Sequence, residues 1–233
     1  DGYKIGITMI SEEQLARLIA EKVAEELLTY RRCEECVRNR DRKLPENVIP
    51  IGVSARHMHI SQEDLEALFG PGYQLTKERD LYQPGEFASA EVVQVVGPKG
   101  VLRVRILGPV RKQTQVELSR TDCITIGIDA PYKYPGDLKG AAPITIVGPK
   151  GAIYKEAAII QARHIHTPPD AAERLGIKDG ELVSVKVAGE RGVIFTNVLV
   201  RVSEKYLLQM HLDTDDANAA GVNCNNLAEL VRL

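Results

Sequence analysis

Three textures of hydrophobic and polar positions follow one another along the chain. Residues 3–10 alternate loosely, which predicts a short strand. From Ser11 the period changes to that of a helix. Leu15, Leu18, Ile19, Val23 and Leu27 line one face, while Glu12, Arg17, Glu21, Lys22 and Glu25 occupy the other. Ser11-x-x-Gln14 has the form of a capping box, in which each end satisfies an orphan amide of the other. An amphipathic helix over residues 11–30 cannot bury its stripe alone. It must dock on the body, on a sister subunit or on another protein. Residues 31–47 are dense in charge and nearly free of apolar side chains, as expected of a helix end plus linker. Cys33-Glu34-Glu35-Cys36 lies here. Without a second Cys or His pair nearby, these read as two incidental thiols.

From Val48 onward the pattern breaks into short β-like runs punctuated by Gly and Pro. Val92–Val96 and Val101–Leu107 flank Gly97-Pro98-Lys99-Gly100, predicting a hairpin. Ile144–Val147 precedes a second copy of that turn, Gly148-Pro149-Lys150-Gly151. Leu182–Val187, Val193–Val202 and Tyr206–Leu212 add further strands. Short strands at close spacing favour barrels or sandwiches over alternating βαβ units.

One word is repeated. Ala55-Arg56-His57-Met58-His59 recurs as Ala162-Arg163-His164-Ile165-His166, and each copy runs into a helical stretch, Ser61–Gly70 and Thr167–Gly176. Both stretches begin with a hydroxyl suited to the N-cap and close on a glycine. Pro168 and Pro169 fall in the first turn of the second, where a missing N–H costs little. The form returns more weakly around Met210-His211-Leu212-Asp213, with Asp213 or Thr214 as cap and Gly221 as the end. Each histidine cluster thus sits at a strand end just before a capped helix. Two related half-structures are predicted, each a small barrel with helical caps.

These clusters hold all 5 histidines of the chain. Residues i and i+2 of a strand share a face, so His57 with His59, and His164 with His166, can each converge on one ion. Neutral imidazole is the commonest metal ligand. Hydrogen-bonded surface histidines would not be expected to pair and repeat in this way. A closed structural zinc site is a second competitor, but such sites favour cysteine, and Cys123 and Cys224 lie in no ligand spacing. Arg111 follows the Gly108-Pro109 turn, and its guanidinium suits a phosphate. Glu117 is a candidate oxygen ligand.

Taken together, Ser54-Ala55-Arg56-His57-x-His59, Gly108-Pro109-x-Arg111, Gln115-Val116-Glu117, Ala162-Arg163-His164-x-His166-x-Pro168-x-Asp170-Ala171 and Met210-His211-Leu212-Asp213 closely resemble the PduL-type phosphotransacylases, or phosphate propanoyltransferases. The resemblance spans roughly residues 48–231. It implies a mainly β fold of two small β-barrels with short capping helices. One barrel would be built from residues 48–55 plus 162–233 and the other from 56–161, after an N-terminal helical extension and linker over 1–47. It implies reversible transfer of a short acyl group, propanoyl or acetyl, between coenzyme A and inorganic phosphate. It also implies two Zn2+ ions per active site. His57 and His59 would hold one; His164, His166 and His211, with Glu117, the other. Arg111 would hold phosphate. No coenzyme A-binding residue is assigned. The family usually dimerises, and some members carry an N-terminal amphipathic helix that targets them to a bacterial microcompartment, so a shell or cargo partner is expected for residues 11–30.

Composition narrows the rivals. Hydrophobic residues make up 44% of the 233, charged residues 27%, and the net charge is −2, so no global field favours nucleic acid or an anionic membrane. Aromatics are 5% with no Trp, which weakens a base-stacking, OB-like barrel. No apolar run reaches the ~18 residues of a transmembrane helix, and no secretory leader is visible. Four cysteines in this length do not make a disulfide framework, so a reducing, cytoplasmic setting is expected, free or inside a microcompartment. Ser54 and Cys123 lack a base partner in the sequence, which predicts direct transfer without an acyl-enzyme. The competing enzyme class is a dinuclear metallohydrolase acting on a thioester or phosphate ester. The competing non-enzyme is a metal-stabilised scaffold barrel.

Overall fold

A computed structural model of the chain describes residues 11, 13–17, 19–21, 44, 45 and 47–231. The predicted strand over 3–10, the helix beyond residue 21 and the Cys33/Cys36 pair lie outside the described residues. The capping box is formed: Ser11 N–H donates to Gln14 Oε1 at 2.9 Å, and Gln14 N–H to Ser11 Oγ at 3.1 Å. Leu15 and Ile19, four apart on that turn, are both exposed.

Two closed six-stranded barrels follow. One runs β1 (Val48–Ser54), β13 (Gln209–Asp213), β10 (His164–Thr167), β12 (Val193–Val202), β11 (Leu182–Val187) and β14 (Leu227–Val231), which pairs back on β1. The other runs β9 (Ala152–Gln161), β6 (Gln115–Leu118), β2 (His57–His59), β5 (Gly100–Gly108), β4 (Phe87–Gly97) and β8 (Ala142–Val147), which pairs back on β9. Two short strands, β3 (Lys77–Asp80) and β7 (Tyr132–Lys133), pair with β4 and β9 at the side.

Read in these orders the two rings match step for step. The pairings run parallel, antiparallel, parallel, antiparallel, antiparallel and antiparallel in both. The repeated sequence word therefore marks a repeated topology. The rings differ in connection. In the second, β8 and β9 form a hairpin; in the first, the equivalent pair β14 and β1 comes from opposite ends of the barrel-forming chain.

Four helices follow four strands in the same way: α1 (Gln62–Phe69) after β2, α2 (Arg120–Ile126) after β6, α3 (Pro169–Leu175) after β10 and α4 (Thr214–Ala220) after β13. Ser61, Ser119 and Asp213 cap three of them by accepting the backbone N–H three residues on. The fourth departs from expectation. Thr167 ends β10, its hydroxyl donates to the Pro168 carbonyl at 3.1 Å, and Pro168 is the N-cap without a side-chain bond. Pro169 at the first helical position lacks the N–H a cap would serve. Residues 206–208, predicted as strand, lie outside β13. The whole β6–α2 unit is a fourth copy, with Gln115, Glu117 and Ser119 at the offsets of His57, His59 and Ser61.

The two Gly-Pro-Lys-Gly turns explain their own recurrence. Lys99 N–H donates to the Ile126 carbonyl at the end of α2, and Lys150 N–H to the Leu68 carbonyl near the end of α1, both at 2.9 Å. Helix C-terminal carbonyls need such partners. A Cβ on Gly97 would lie 2.3 Å from the Ile126 oxygen, and one on Gly148 2.6 Å from the Leu68 oxygen, so glycine is required for the approach.

Each barrel has its own apolar core. Met58, Ile60, Val116 and Leu118 point into one; Ile165, Met210 and Leu212 into the other. Strand alternation sends their neighbours His57, His59, Gln115, Glu117, His164, His166, Gln209 and His211 to the opposite face. That parity puts the chemistry on the outer walls of the barrels.

Candidate metal centre and active site

The strand registers assemble the site. On β2 and β6, His57 faces Glu117 and His59 faces Gln115; on β10 and β13, His164 faces His211 and His166 faces Gln209. Two triads result, His57–His59–Glu117 and His164–His166–His211, each with ligand atoms within 4.8 Å of one another. Glu117 therefore groups with His57 and His59, whereas the resemblance had placed it with the other set. The cross-strand pairing decides this. His57 Nε2 lies 3.5 Å from Glu117 Oε2 and His59 Nε2 3.8 Å from Oε1.

The Ala-Arg of the repeated word has a structural role in both copies. The Ala55 carbonyl meets His57 Nδ1 at 2.9 Å, and the Ala162 carbonyl meets His164 Nδ1 at 3.0 Å. A carbonyl there fixes the proton on Nδ1 and leaves Nε2 for a ligand bond. Arg56 Nε pairs with Asp122 at 2.9 Å and Arg163 Nε with Asp216 at 3.1 Å, tying each histidine strand to the first turn of the helix after its partner strand.

The donors suit metal. Among the described residues, the buried nitrogens His59 Nδ1, His166 Nδ1, His166 Nε2 and His211 Nε2 have no hydrogen-bond partner. Unpaired buried polar atoms are costly, and a coordinated cation would satisfy them. The charge states also fit. Burial, aided by neighbouring positive charge, lowers the pKa of His59 to about 3 and of His166 to about 2. Burial lowers His164 to about 4 and takes His211 well below the usual value. These rings are neutral at pH 7 and need lose no proton to bind an ion. Burial opposes protonation of His57 too, but Glu117 and the Ala55 carbonyl outweigh it and raise the pKa. Burial would raise Glu117, yet the surrounding imidazoles hold it well below the usual carboxylate range, so it is an anion.

Around the triads stand residues of two kinds. Arg111, predicted from its Gly-Pro turn, is within electrostatic reach of both His59 and His166. Its Nη2 donates to Glu86 Oε1 at 2.6 Å. The sequence assigns no role to the others. Gln115, buried, donates from Nε2 to Glu117 Oε1 and accepts Gly136 N–H at 2.8 Å. Tyr206 stacks on His166 with ring centroids 4.0 Å apart and planes 10° apart. Arg201 lies over the Tyr206 ring, 5.9 Å from its centroid, and its charge helps to depress His164, His166 and His211. The Gln115–Glu117–Ser119 spacing carried a usable signal. Arg201 did not, because only the β10–β12 register sets it opposite His166.

A family model described as phosphate propanoyltransferase matches residues 50–223, the stretch that carries both triads and every barrel strand but β14 and the first two residues of β1. The chain belongs to the phosphate propanoyltransferase family. It is 51% identical over 186 residues to the phosphate propanoyltransferase of Lachnoclostridium phytofermentans, covering 78% of this chain and 87% of that protein. Against the Thermotoga maritima enzyme of that name the identity is 52% over 186 residues, covering 78% and 89%. Against that of Priestia megaterium it is 55% over 175 residues, covering 74% and 81%. Family membership makes the chain a phosphotransacylase-type enzyme. Among the described residues no helix is long and apolar enough to cross a membrane.

Proposed function

We propose that this chain transfers a short acyl group, propanoyl or acetyl, reversibly between coenzyme A and inorganic phosphate, at a centre of two zinc ions held by the two triads. One observation carries the reading: two ligand triads lie within electrostatic reach of each other, and the Arg111 charge reaches both. Three imidazoles, or two imidazoles and a carboxylate, make an open borderline-soft shell that suits zinc. Bound there, the ions would polarise the thioester carbonyl and ease departure of the thiolate.

The chain's own groups do the rest. Arg111 presents a fork of donors to phosphate and holds an oxygen against the carbonyl carbon. The C–O bond forms as the C–S bond breaks, giving acyl phosphate and the coenzyme A thiolate. No side chain needs to take the acyl group. Burial pushes the Cys123 thiol up to about 11. A thiol kept protonated is a poor nucleophile, so acyl transfer is direct.

The test measures thiol release from propanoyl-CoA with and without phosphate, trapping acyl phosphate with hydroxylamine. Release that needs phosphate and yields hydroxamate is expected. Equal release without phosphate would replace this reading with the dinuclear metallohydrolase. Acylated protein recovered after quenching would overturn the direct route. The exposed Leu15 and Ile19 support an N-terminal helix that docks on another molecule, a microcompartment shell or cargo protein, and the working form is taken to be a cytoplasmic or microcompartment homodimer.

A further inference from the structure

Arg111 does not hang free in the site, and what holds it comes from a turn that bridges the barrels. Residues 81–86 leave β3 and return into β4, closed by Leu81 N–H to the Glu86 carbonyl at 3.0 Å and Glu86 N–H to the Gln83 carbonyl at 3.3 Å. The tip of this turn reaches across to the other barrel. Gln83, 6% exposed, grips the backbone of Leu207: its Nε2 donates to the Leu207 carbonyl at 3.1 Å and its Oε1 accepts the Leu207 N–H at 3.0 Å. The same Nε2 is 3.4 Å from Gln209 Oε1, and the Tyr82 hydroxyl reaches the Leu208 carbonyl at 3.4 Å. Leu207 stands beside Tyr206, which stacks on His166, and leads into the strand of His211.

At the other end of the turn Glu86 takes one corner of the Arg111 guanidinium. A carboxylate on Nη2 leaves the Nη1 and Nε donors for a second anion. The backbone of Arg111 is fixed separately, its N–H donating to the Ile60 carbonyl at 2.8 Å, one residue beyond His59. Backbone and guanidinium are thus anchored by different elements.

We propose that Glu86 is a positioning residue for phosphate, acting through Arg111, and that the Gln83 clasp on Leu207 sets Glu86 in place. The turn makes the phosphate fork depend on how the two barrels are joined. Glu86 orients the guanidinium before the anion arrives, so phosphate binding need not pay for ordering a long side chain. This rests on Arg111 being the phosphate residue.

The test uses the full-length, metal-loaded protein and steady-state kinetics in both substrates. Glu86→Ala is expected to raise the KM for phosphate about tenfold, with the acyl-CoA KM within about twofold of wild type. Glu86→Gln, which keeps the acceptor oxygen, restores most of the loss. Gln83→Ala shifts the phosphate KM in the same direction by less. In an Arg111→Ala background, Glu86→Ala has no further effect on phosphate, because coupled residues are not additive. If Arg111→Ala raises the phosphate KM but Glu86→Ala leaves or lowers it, the positioning role is wrong and the phosphate assignment stands. Additive losses in the double variant overturn it equally. If Arg111→Ala leaves phosphate kinetics unchanged, the assignment of Arg111 itself fails.

Discussion

His164 and His211 face each other across the antiparallel pair β10–β13 with ring planes 1° apart and centroids 4.8 Å apart. Two parallel imidazoles this close cannot both be protonated without strong repulsion, and burial already holds both pKa values down. Each offers a ligand atom within 4.8 Å of the other's and of one on His166.

His211→Ala removes one of three donors and leaves the other two in place. It is expected to lower bound zinc by about one equivalent per chain and to cut turnover by about a hundredfold or more, since an incomplete ligand set holds the ion weakly. Elemental analysis of the purified variant, alongside the phosphate-dependent assay, checks both. Full zinc with normal turnover would remove His211 from the centre.

Asp64 offers a stability prediction with a definite sign. It is buried in the first turn of α1, accepts from the Ser61 and Thr114 hydroxyls, and pairs with Lys155 at 2.5 Å. Burial favours its neutral form, but the Lys155, Thr114 and Ser61 hydrogen bonds win and lower the pKa. A carboxylate with a depressed folded pKa contributes stability above its unfolded value, near 3.8, and loses it as pH falls through the lower folded value. Asp64→Asn should therefore cost about 1–2 kcal/mol at pH 7, and the gap to wild type should close below about pH 4. Urea unfolding of both proteins across pH 3–7 measures it. A gap that persisted unchanged at pH 3 would show that charge is not the cause.

How much of this was readable in the chain depends on whether a feature is local. Caps, glycine stops and the HxH parity depend on neighbours two to four residues apart, and Ser61, Asp213, His57/His59 and His164/His166 were found from those spacings alone. The two-barrel fold comes through the repeated word, because each copy carries a strand end, a carbonyl for Nδ1 and an arginine for the helix that follows its partner strand. Register between distant strands leaves no such trace. The resemblance sets Glu117 with His164, His166 and His211, whereas the β2–β6 register sets it beside His57 and His59, and no local spacing points to Arg201, Tyr206 or Gln209. Thr167 misled for a different reason. It has the right side chain for a cap, but the two prolines after it move the helix start by one residue.

Gly97 is the sharpest steric constraint tied to the repeated turns. A methyl group there would stand 2.3 Å from the Ile126 oxygen and would push the turn off the end of α2, breaking the Lys99 N–H bond to that carbonyl. Gly97→Ala is expected to cost about 2–4 kcal/mol, or about 4–16 °C in Tm for a chain of this size. Scanning calorimetry of the variant reads it directly. A shift below about 2 °C would mean that the turn and helix end part easily and that the recurrence of Gly-Pro-Lys-Gly has another cause.

The remaining prediction separates a ring from its hydroxyl. Neither nitrogen of His166 has a hydrogen-bond partner among the described residues, so no second group fixes its orientation as Ala162 fixes that of His164. Tyr206 stacks on the ring at 4.0 Å, closer than His164 and His211 at 4.7 Å, with Arg201 lying over the same tyrosine at 5.9 Å. Loss of a group that orients a metal-binding imidazole typically weakens affinity by about 10–100-fold. Tyr206→Ala should do so, because His166 can then turn away and Arg201 loses its platform. Tyr206→Phe should bind metal as wild type does, because the stacked ring remains. Competition for zinc against a chromophoric chelator measures each affinity. If the phenylalanine variant were as weak as the alanine one, the hydroxyl and not the stack would be orienting the site.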